Sequence, residues 1–251
     1  MSEFPHDHIK PFSEEGGKKQ QVSAMFDSIA GRYDLVNRVL SAGIDIGWRK
    51  KAIGELARYR PAHILDVATG TGDMALMAAR ILQPERITGI DISEGMLAIG
   101  RKKVESAGLT TRIELVSGDS ETINFPDGTF DAGMVAFGVR NFEHLQQGLA
   151  EILRVLKPGA PLIVLEFSKP KSGLFRALYR FYMTVFAPNL AKWMKQNKEA
   201  YQYLNESSQA FPDRKQFTDI LDRTGFSDTS FKQLSLGICC IYRGRKPDRR
   251  A

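Results

Sequence analysis

Cysteine is nearly absent. The two cysteines among 251 residues, Cys239 and Cys240, are neighbours, and alternation along a strand sends them to opposite faces. They make poor disulfide partners and have no companions for a metal site, so both read as small strand residues in a reducing cytoplasm. No apolar run reaches the roughly 18 residues of a membrane span. Residues 1–8 lack the charged-then-apolar layout of a signal peptide. No internal repeat or low-complexity segment appears, and no cluster of His, Cys and Asp has metal-ligand spacing. These absences lead to the expectation of a soluble cytosolic chain that can still touch a membrane.

What is present is ordinary for a globular protein: 43% hydrophobic and 25% charged residues, in a length that accommodates one α/β domain with elaborations. The net charge of +6 admits nucleic acid, an anionic membrane or an anionic substrate. Arg243, Arg245, Lys246, Arg249 and Arg250 place part of that charge in the C-terminal tail, where a solvated tail is the simpler reading. No nucleic-acid partner is expected, and a homo-oligomer is left open.

The most informative stretch is Ile64-Leu-Asp-Val-Ala-Thr-Gly-Thr-Gly-Asp73. Residues 63–68 suit a strand buried on both faces. Gly70 and Gly72 then permit a tight turn with bare backbone open to a ligand, and Asp73 is placed to cap the following helix. Asp91 ends the next apolar run about 20 residues after Gly72, where a doubly wound sheet offers a carboxylate to ribose hydroxyls. Two nucleosides fit. Gly70-Thr-Gly-Asp-Met-Ala75 satisfies the dinucleotide fingerprint, so NAD and an oxidoreductase stay open. Asp66-x-Ala68-x-Gly70-x-Gly72 also reads as an S-adenosylmethionine loop, with Ala in place of the first glycine. Pyrophosphate wants a helix N-terminus without nearby anions. The bracketing acids Asp66 and Asp73 therefore favour a ligand carrying an amino group and a sulfonium.

Along the chain, residues 1–21 form a polar, flexible lead-in. Residues 22–60 show helical periodicity in three pieces, punctuated at Gly31 and Ser41-Ala-Gly43, with the third running from 46 to 59. Strands and helices then alternate over 61–170, which predicts a mostly parallel sheet. Ligands on such a sheet gather at the C-terminal strand ends, which brings Thr69 to Gly72, Asp91, Asp119, Phe137 to Asn141 and Glu166 to Lys169 together. Residues 171–206 break the rhythm with a basic, aromatic helical insert. It either packs on the core or forms a lid toward an apolar substrate or membrane. Residues 207–251 supply a last helix and two strands, expected as an antiparallel edge pair.

Met25-Phe-Asp-Ser-Ile-Ala-Gly-Arg-Tyr-Asp-Leu-Val-Asn37, Leu65-Asp-Val-Ala-Thr-Gly-Thr-Gly-Asp73, Ala136-Phe-Gly-Val-Arg-Asn141, Arg154-Val-Leu-Lys-Pro-Gly159 and Leu165-Glu-Phe-Ser-Lys-Pro170 occur in that order. Together they resemble the ubiquinone/menaquinone-biosynthesis C-methyltransferases over nearly the whole chain. The resemblance implies a class I, Rossmann-like methyltransferase fold, S-adenosylmethionine as donor without a metal, and a prenylated quinol as acceptor, demethylmenaquinol in the menaquinone branch. It carries donor-binding positions onto Thr71 in the loop, Asp91 for the ribose, and Asp119 with Ser120 for the adenine end. Ala136 stands where the family often has Ser, so only a backbone contact carries over. Asp66 fits an indirect role toward the methionine end.

Methylating a quinol ring carbon requires alignment, a stabilised phenolate and a proton acceptor. Arg140 suits the phenolate as a permanent cation with a fixed fork, Asn141 would orient the same oxygen, and Tyr33 and Asp34 would close over the acceptor and assist proton transfer. Each has a plainer alternative. Arg140 can pair with a carboxylate, Tyr33 can be packing, and Asp34 can cap a helix. His144 is a weak base candidate that more simply starts a helix, and Glu166 is either a site base or a partner for Lys169. A methyltransferase for another small molecule is the closest rival function.

Overall fold

The computed structural model describes residues 4–12, 16–41, 43–170 and 198–248. Two helices, α1 (Lys18–Leu40) and α2 (Ile44–Gly54), precede the sheet. Where three helical pieces were expected, Gly31 sits inside one continuous helix; a single glycine costs only about 1 kcal/mol against alanine. Packing outweighs it: Val22, Met25 and Ile29 are buried along α1. The piece expected to reach residue 59 ends at Gly54, and a 3-10 turn Ala57–Tyr59 carries the chain to Pro61.

The core alternates β1 (His63–Val67), α3 (Asp73–Leu82), β2 (Arg86–Asp91), α4 (Glu94–Ser106), β3 (Ile113–Ser117), β4 (Ala132–Ala136), α5 (Leu145–Val155) and β5 (Pro161–Phe167). Helix α6 (Lys198–Ala210), α7 (Lys215–Thr224), β6 (Ser227–Leu234) and β7 (Cys239–Arg245) follow. The strand order is β3-β2-β1-β4-β5-β7-β6. Strands β1 to β5 are parallel, and β7 runs antiparallel to both β5 and β6. The last two strands are therefore a mutually antiparallel pair, as expected. Because β7 inserts between β5 and β6, only β7 opposes the sheet's direction.

Both faces are covered, as a parallel sheet requires. Ile64, Ile87, Met134, Ile163 and Ile241 face one cluster with α2, α3 and α4. Leu65, Ile90, Val135, Val164 and Tyr242 face another with α5 and α7. Cys239 and Cys240 divide between these two clusters and are free thiols, in line with strand alternation.

The lead-in departs from expectation. Pro5–His8 forms a 3-10 turn with His6 and Asp7 buried, and Lys18 is buried too. Lys18 Nζ donates to the carbonyls of His6 (2.8 Å), Arg140 (3.3 Å) and Phe142 (2.9 Å). Burial lowers its pKa to about 8, outweighing the opposing charges of Asp7, Glu143 and Glu121. The helical lid expected over 171–206 lies outside the described residues as far as 197. From Lys198, α6 packs Ala200 and Tyr203 against Val22, Met25 and Ile29 of α1.

Candidate functional site

The strand ends of β1, β2 and β4 lie level, since Val67 pairs with both Ile90 and Val135. The chain leaves β1 through Ala68 at φ 52° and β4 through Phe137 at φ 59°. Two non-glycine residues held in the left-handed region at adjacent strand ends are costly and mark a functional mouth. The glycine loop follows Ala68 and is tied to the end of β2, Thr69 N donating to Ile90 O at 3.0 Å. Gly72, at φ 76°, takes the N-cap position of α3, where a side chain would be strained. Asp73, expected to cap the helix, instead stands in its first turn and binds Lys103 and Arg38.

Asp91 ends β2 and faces this loop. Its Oδ2 accepts from Gly70 N at 2.8 Å and its Oδ1 from Ser93 N at 2.9 Å. Burial raises its pKa while those backbone donors work against the rise. Asp66, 1% exposed, accepts from Thr69 Oγ1 through Oδ2, whereas its Oδ1 has no partner among the described residues. Burial lifts its pKa to about 7, against the hydrogen bond from Thr69 and the charge of Arg49. A buried carboxylate oxygen short of a hydrogen-bond donor, just before the glycine turn, fits a ligand that brings donors, such as an amino group. Asp73 is spent on its cations and adds nothing to that preference.

Two of the other expected donor-side residues, Thr71 and Asp119, are held from the N-terminal helix. Thr71 Oγ1 donates to Asp34 Oδ1 at 2.6 Å and accepts from Lys103 Nζ at 3.2 Å, so its hydroxyl points to the cap and its backbone to the loop side. Asp34 Oδ2 accepts from the same Lys103 at 2.9 Å. Asp34 is thus engaged in tying α1 to the loop. Asp119 accepts from Lys19 Nζ at 2.6 Å and from Glu121 N at 2.9 Å; Ser120 beside it is half-buried. Ala136 closes β4 and is half-buried.

Across the mouth, Arg140 is 2% exposed and Glu166 is fully buried. Arg140 NH1 donates to Glu166 Oε1 at 2.7 Å and to Phe137 O at 2.6 Å, while Arg140 Nε and Glu166 Oε2 have no partner among the described residues. Burial works to lower the guanidinium's pKa, but Glu166 and the neighbouring phenols Tyr33 and Tyr203 hold it above its usual range. Burial raises Glu166 against the pull of Arg140. Glu166 therefore partners Arg140 and not Lys169, whose amine reaches Gln209 O and Phe211 O. Asn141 Oδ1 accepts from Tyr203 OH at 3.1 Å. Tyr33, half-buried, meets Phe26 edge-on at 5.8 Å. His144 precedes α5 and sits 3.0 Å from Glu121 Oε2, away from these groups.

Of the segments expected to converge, the glycine loop meets Asp91 through Gly70 N, and Arg140 meets Glu166. Sequence reasoning missed Tyr203, hidden in an irregular aromatic segment, and Arg49, hidden in an amphipathic helix. Only the buried setting of an arginine on α2 distinguishes it from a solvated one.

The profile of the ubiE/COQ5 methyltransferase family matches residues 14–246. The chain is 44% identical to a demethylmenaquinone methyltransferase of Bacteroides fragilis, over 97% of this chain and 99% of that one. It is 44% identical to the ubiquinone/menaquinone biosynthesis C-methyltransferase UbiE of Geobacter sulfurreducens, over 91% and 90%. In three dimensions it resembles a putative S-adenosyl-L-methionine-dependent methyltransferase of Methanococcus maripaludis, with a TM-score of 0.63 at 20% identity, over 96% and 99% of the two chains. That likeness concerns the fold, a class I methyltransferase sheet closed by a reversed β7. The full-length sequence match, on a sheet whose open glycine turn and terminal β2 carboxylate suit a nucleoside, leaves the nicotinamide reading without support: the chain is a methyltransferase and belongs to the ubiE/COQ5 family.

Proposed function

We propose that this protein C-methylates a prenylated quinol, demethylmenaquinol to menaquinol, with S-adenosylmethionine as donor. The observation that carries the reading is the buried Arg140–Glu166 pair at the strand mouth, with Arg140 Nε and Glu166 Oε2 unmatched, beside Tyr33 and the Asn141–Tyr203 contact. Unmatched buried polar atoms are expensive unless a ligand completes them.

When bound, S-adenosylmethionine supplies an electrophilic methyl on a sulfonium leaving group. Asp91 would hold the ribose hydroxyls, the backbone from Gly70 to Gly72 with Thr71 the methionine end, Asp66 its amino group from beneath, Asp119 and Ser120 the adenine end, and the backbone of Ala136 the neighbouring wall. Arg140 stabilises the ionised phenol, which raises electron density on the adjacent ring carbon. Asn141, with its carbonyl oxygen occupied by Tyr203, presents its amide NH2 to the same oxygen. Tyr33 closes the pocket from α1. Asp34 is held by Thr71 and Lys103, so its part is to fix the cap on the loop. Glu166 Oε2 is the better placed group to take the ring proton, directly or through water. The balance is one proton released for each methyl gained.

A prenylated acceptor resides in a bilayer. No helix among the described residues is long and apolar enough to cross one. A groove of about 850 Å³ between α2, α3 and α4 sets Lys50, Arg80 and Lys102 around Ile46, Leu76 and Ile81, with Arg38 and Lys103 on its wall paired to Asp73. This supports a protein that works in the cytoplasm and rests on the anionic inner leaflet.

Replacing Arg140 with alanine is expected to cut turnover by at least about 100-fold, in the range of losing one transition-state donor, while calorimetric titration with S-adenosylhomocysteine stays within a few-fold of wild type. Lost ligand affinity in that variant would place Arg140 on the donor side. Cells lacking the protein should accumulate the unmethylated quinol; accumulation of no quinone precursor would refute the acceptor.

A further inference from the structure

A second guanidinium stands at the same mouth. Arg49 is 9% exposed, and its Nε has no hydrogen-bond partner among the described residues. Its nearest carboxylate oxygen, Asp45 Oδ2, is 3.6 Å from Nε, outside hydrogen-bonding reach. Asp45 is also committed elsewhere, accepting from Ser41 Oγ at 2.7 Å and from Arg38 NH1 at 3.3 Å. The Arg49 guanidinium lies 5.1 Å from the centre of the Phe137 ring, and that of Arg140 lies 5.4 Å from the centre of Phe167. The two rings are 4.6 Å apart. A tilted aromatic pair thus carries two buried cations, each resting on one ring. Trp48, tied to Ser235 Oγ at 2.8 Å, braces both rings from α2.

The electrostatic surroundings agree with this placement. The charge of Arg49 is felt by Asp66 at the end of β1 and by Tyr33 on α1, lowering the proton affinity of each. Arg49 is therefore within electrostatic reach of both Asp66 and Tyr33. Unlike Arg140, which has a buried carboxylate at 2.7 Å, it has no anion in hydrogen-bond contact. Burying a cation so incompletely matched is costly unless an anion arrives.

We infer that Arg49 is a ligand-binding residue that receives an anionic oxygen of a bound substrate. On the function proposed above, on which this rests, two oxygens have that chemistry: the α-carboxylate of the donor and the phenolate of the acceptor.

The test uses the full chain with Arg49→Gln and Arg49→Lys, titrated with S-adenosylhomocysteine and with 5′-methylthioadenosine, which lacks the amino-acid tail, and then assayed for turnover. If the donor's carboxylate is the ligand, Arg49→Gln weakens S-adenosylhomocysteine at least tenfold, leaves methylthioadenosine within twofold, and Arg49→Lys restores part of the loss. If the phenolate is the ligand, both nucleosides bind as to wild type, while the acceptor KM rises or kcat falls at least tenfold and the kcat–pH profile moves to higher pH. Either result supports the assignment. Melting temperatures establish that the variants fold, with Arg49→Lys serving if Arg49→Gln does not. Nucleoside affinities, KM and kcat all within twofold of wild type would overturn it, leaving Arg49 as packing on Phe137. Wild-type protein that binds no S-adenosylhomocysteine would instead overturn the function beneath it.

Discussion

On the donor side of the mouth, Asp91 is met by two backbone N–H groups and Thr71 by Asp34 and Lys103. On the acceptor side, Arg140 Nε and Glu166 Oε2 are buried and unmatched among the described residues. Most of the first arrangement is satisfied before any ligand binds, Asp66 Oδ1 being the exception. The second holds its capacity open, and its cohesion depends on the Arg140–Glu166 pair between the β4 exit and β5. Substitutions should therefore act more severely on the acceptor side.

The largest effect is expected at Glu166. Removing its carboxylate by Glu166→Ala strands Arg140 in the interior and should cost about 3–5 kcal/mol in denaturant unfolding. Glu166→Gln, which keeps the volume and an acceptor, should cost distinctly less. Equal losses would mean that the pair's charge does not hold this side together.

Next comes Lys18, whose amine is the common donor to three carbonyls, two of them on the segment that carries Arg140 and Asn141. Lys18→Met should cost about 1–3 kcal/mol. The sign of its pH dependence is fixed by the lowered pKa, about 8 in the fold against 10.5. The folded state gives up this proton first, so wild-type stability gains a contribution as pH rises from about 8 toward 10.5. The methionine variant lacks that contribution, and unfolding curves collected across this window measure the difference.

On the donor side the expected losses are smaller. Asp27 Oδ1 accepts from Ser93 Oγ at 2.6 Å and Gly95 N at 2.9 Å, steadying the start of α4 from α1. Asp27→Ala should lower stability by about 1 kcal/mol, a typical cap, with turnover little changed. A loss as large as that at Glu166 would erase the contrast between the two sides.

The smallest effect is a titration. Asp66, lifted to about 7 by burial, is ionised above that pH and better able to accept from an amino group. Affinity for S-adenosylhomocysteine should rise several-fold, short of the ~10-fold limit for each pH unit, between pH 6 and 8. Asp66→Asn should flatten the rise, and calorimetry reads both. For the unliganded protein the sign is opposite, because a raised carboxyl pKa withdraws stability as pH climbs through 7.

Much of this was legible in the chain. Alternating apolar runs and helical stretches specified a parallel sheet, the glycines specified the turn, and Asp91 stood at the correct distance because one strand–helix–strand unit has a nearly fixed length. The splitting of α1 at Gly31 was misread because a propensity cost of about 1 kcal/mol is smaller than what Val22, Met25 and Ile29 gain by burial. Asp73 looked like a cap because composition does not show that Gly72 is already in the left-handed conformation. The lead-in looked free because His6 and Lys18 are polar, and only their long-range partners bury them.

The sequence by itself determined the order of elements, the sheet's direction and the nucleoside turn, since these follow from local periodicity and short-range sterics. The pairing of Arg140 with Glu166, the turning of Asp34 onto Thr71 and the arrival of Tyr203 and Arg49 at one mouth were decided only by the tertiary structure. Electrostatic partners are chosen by distance through space, and along the chain these residues are separated by dozens of positions that carry no trace of who will meet whom.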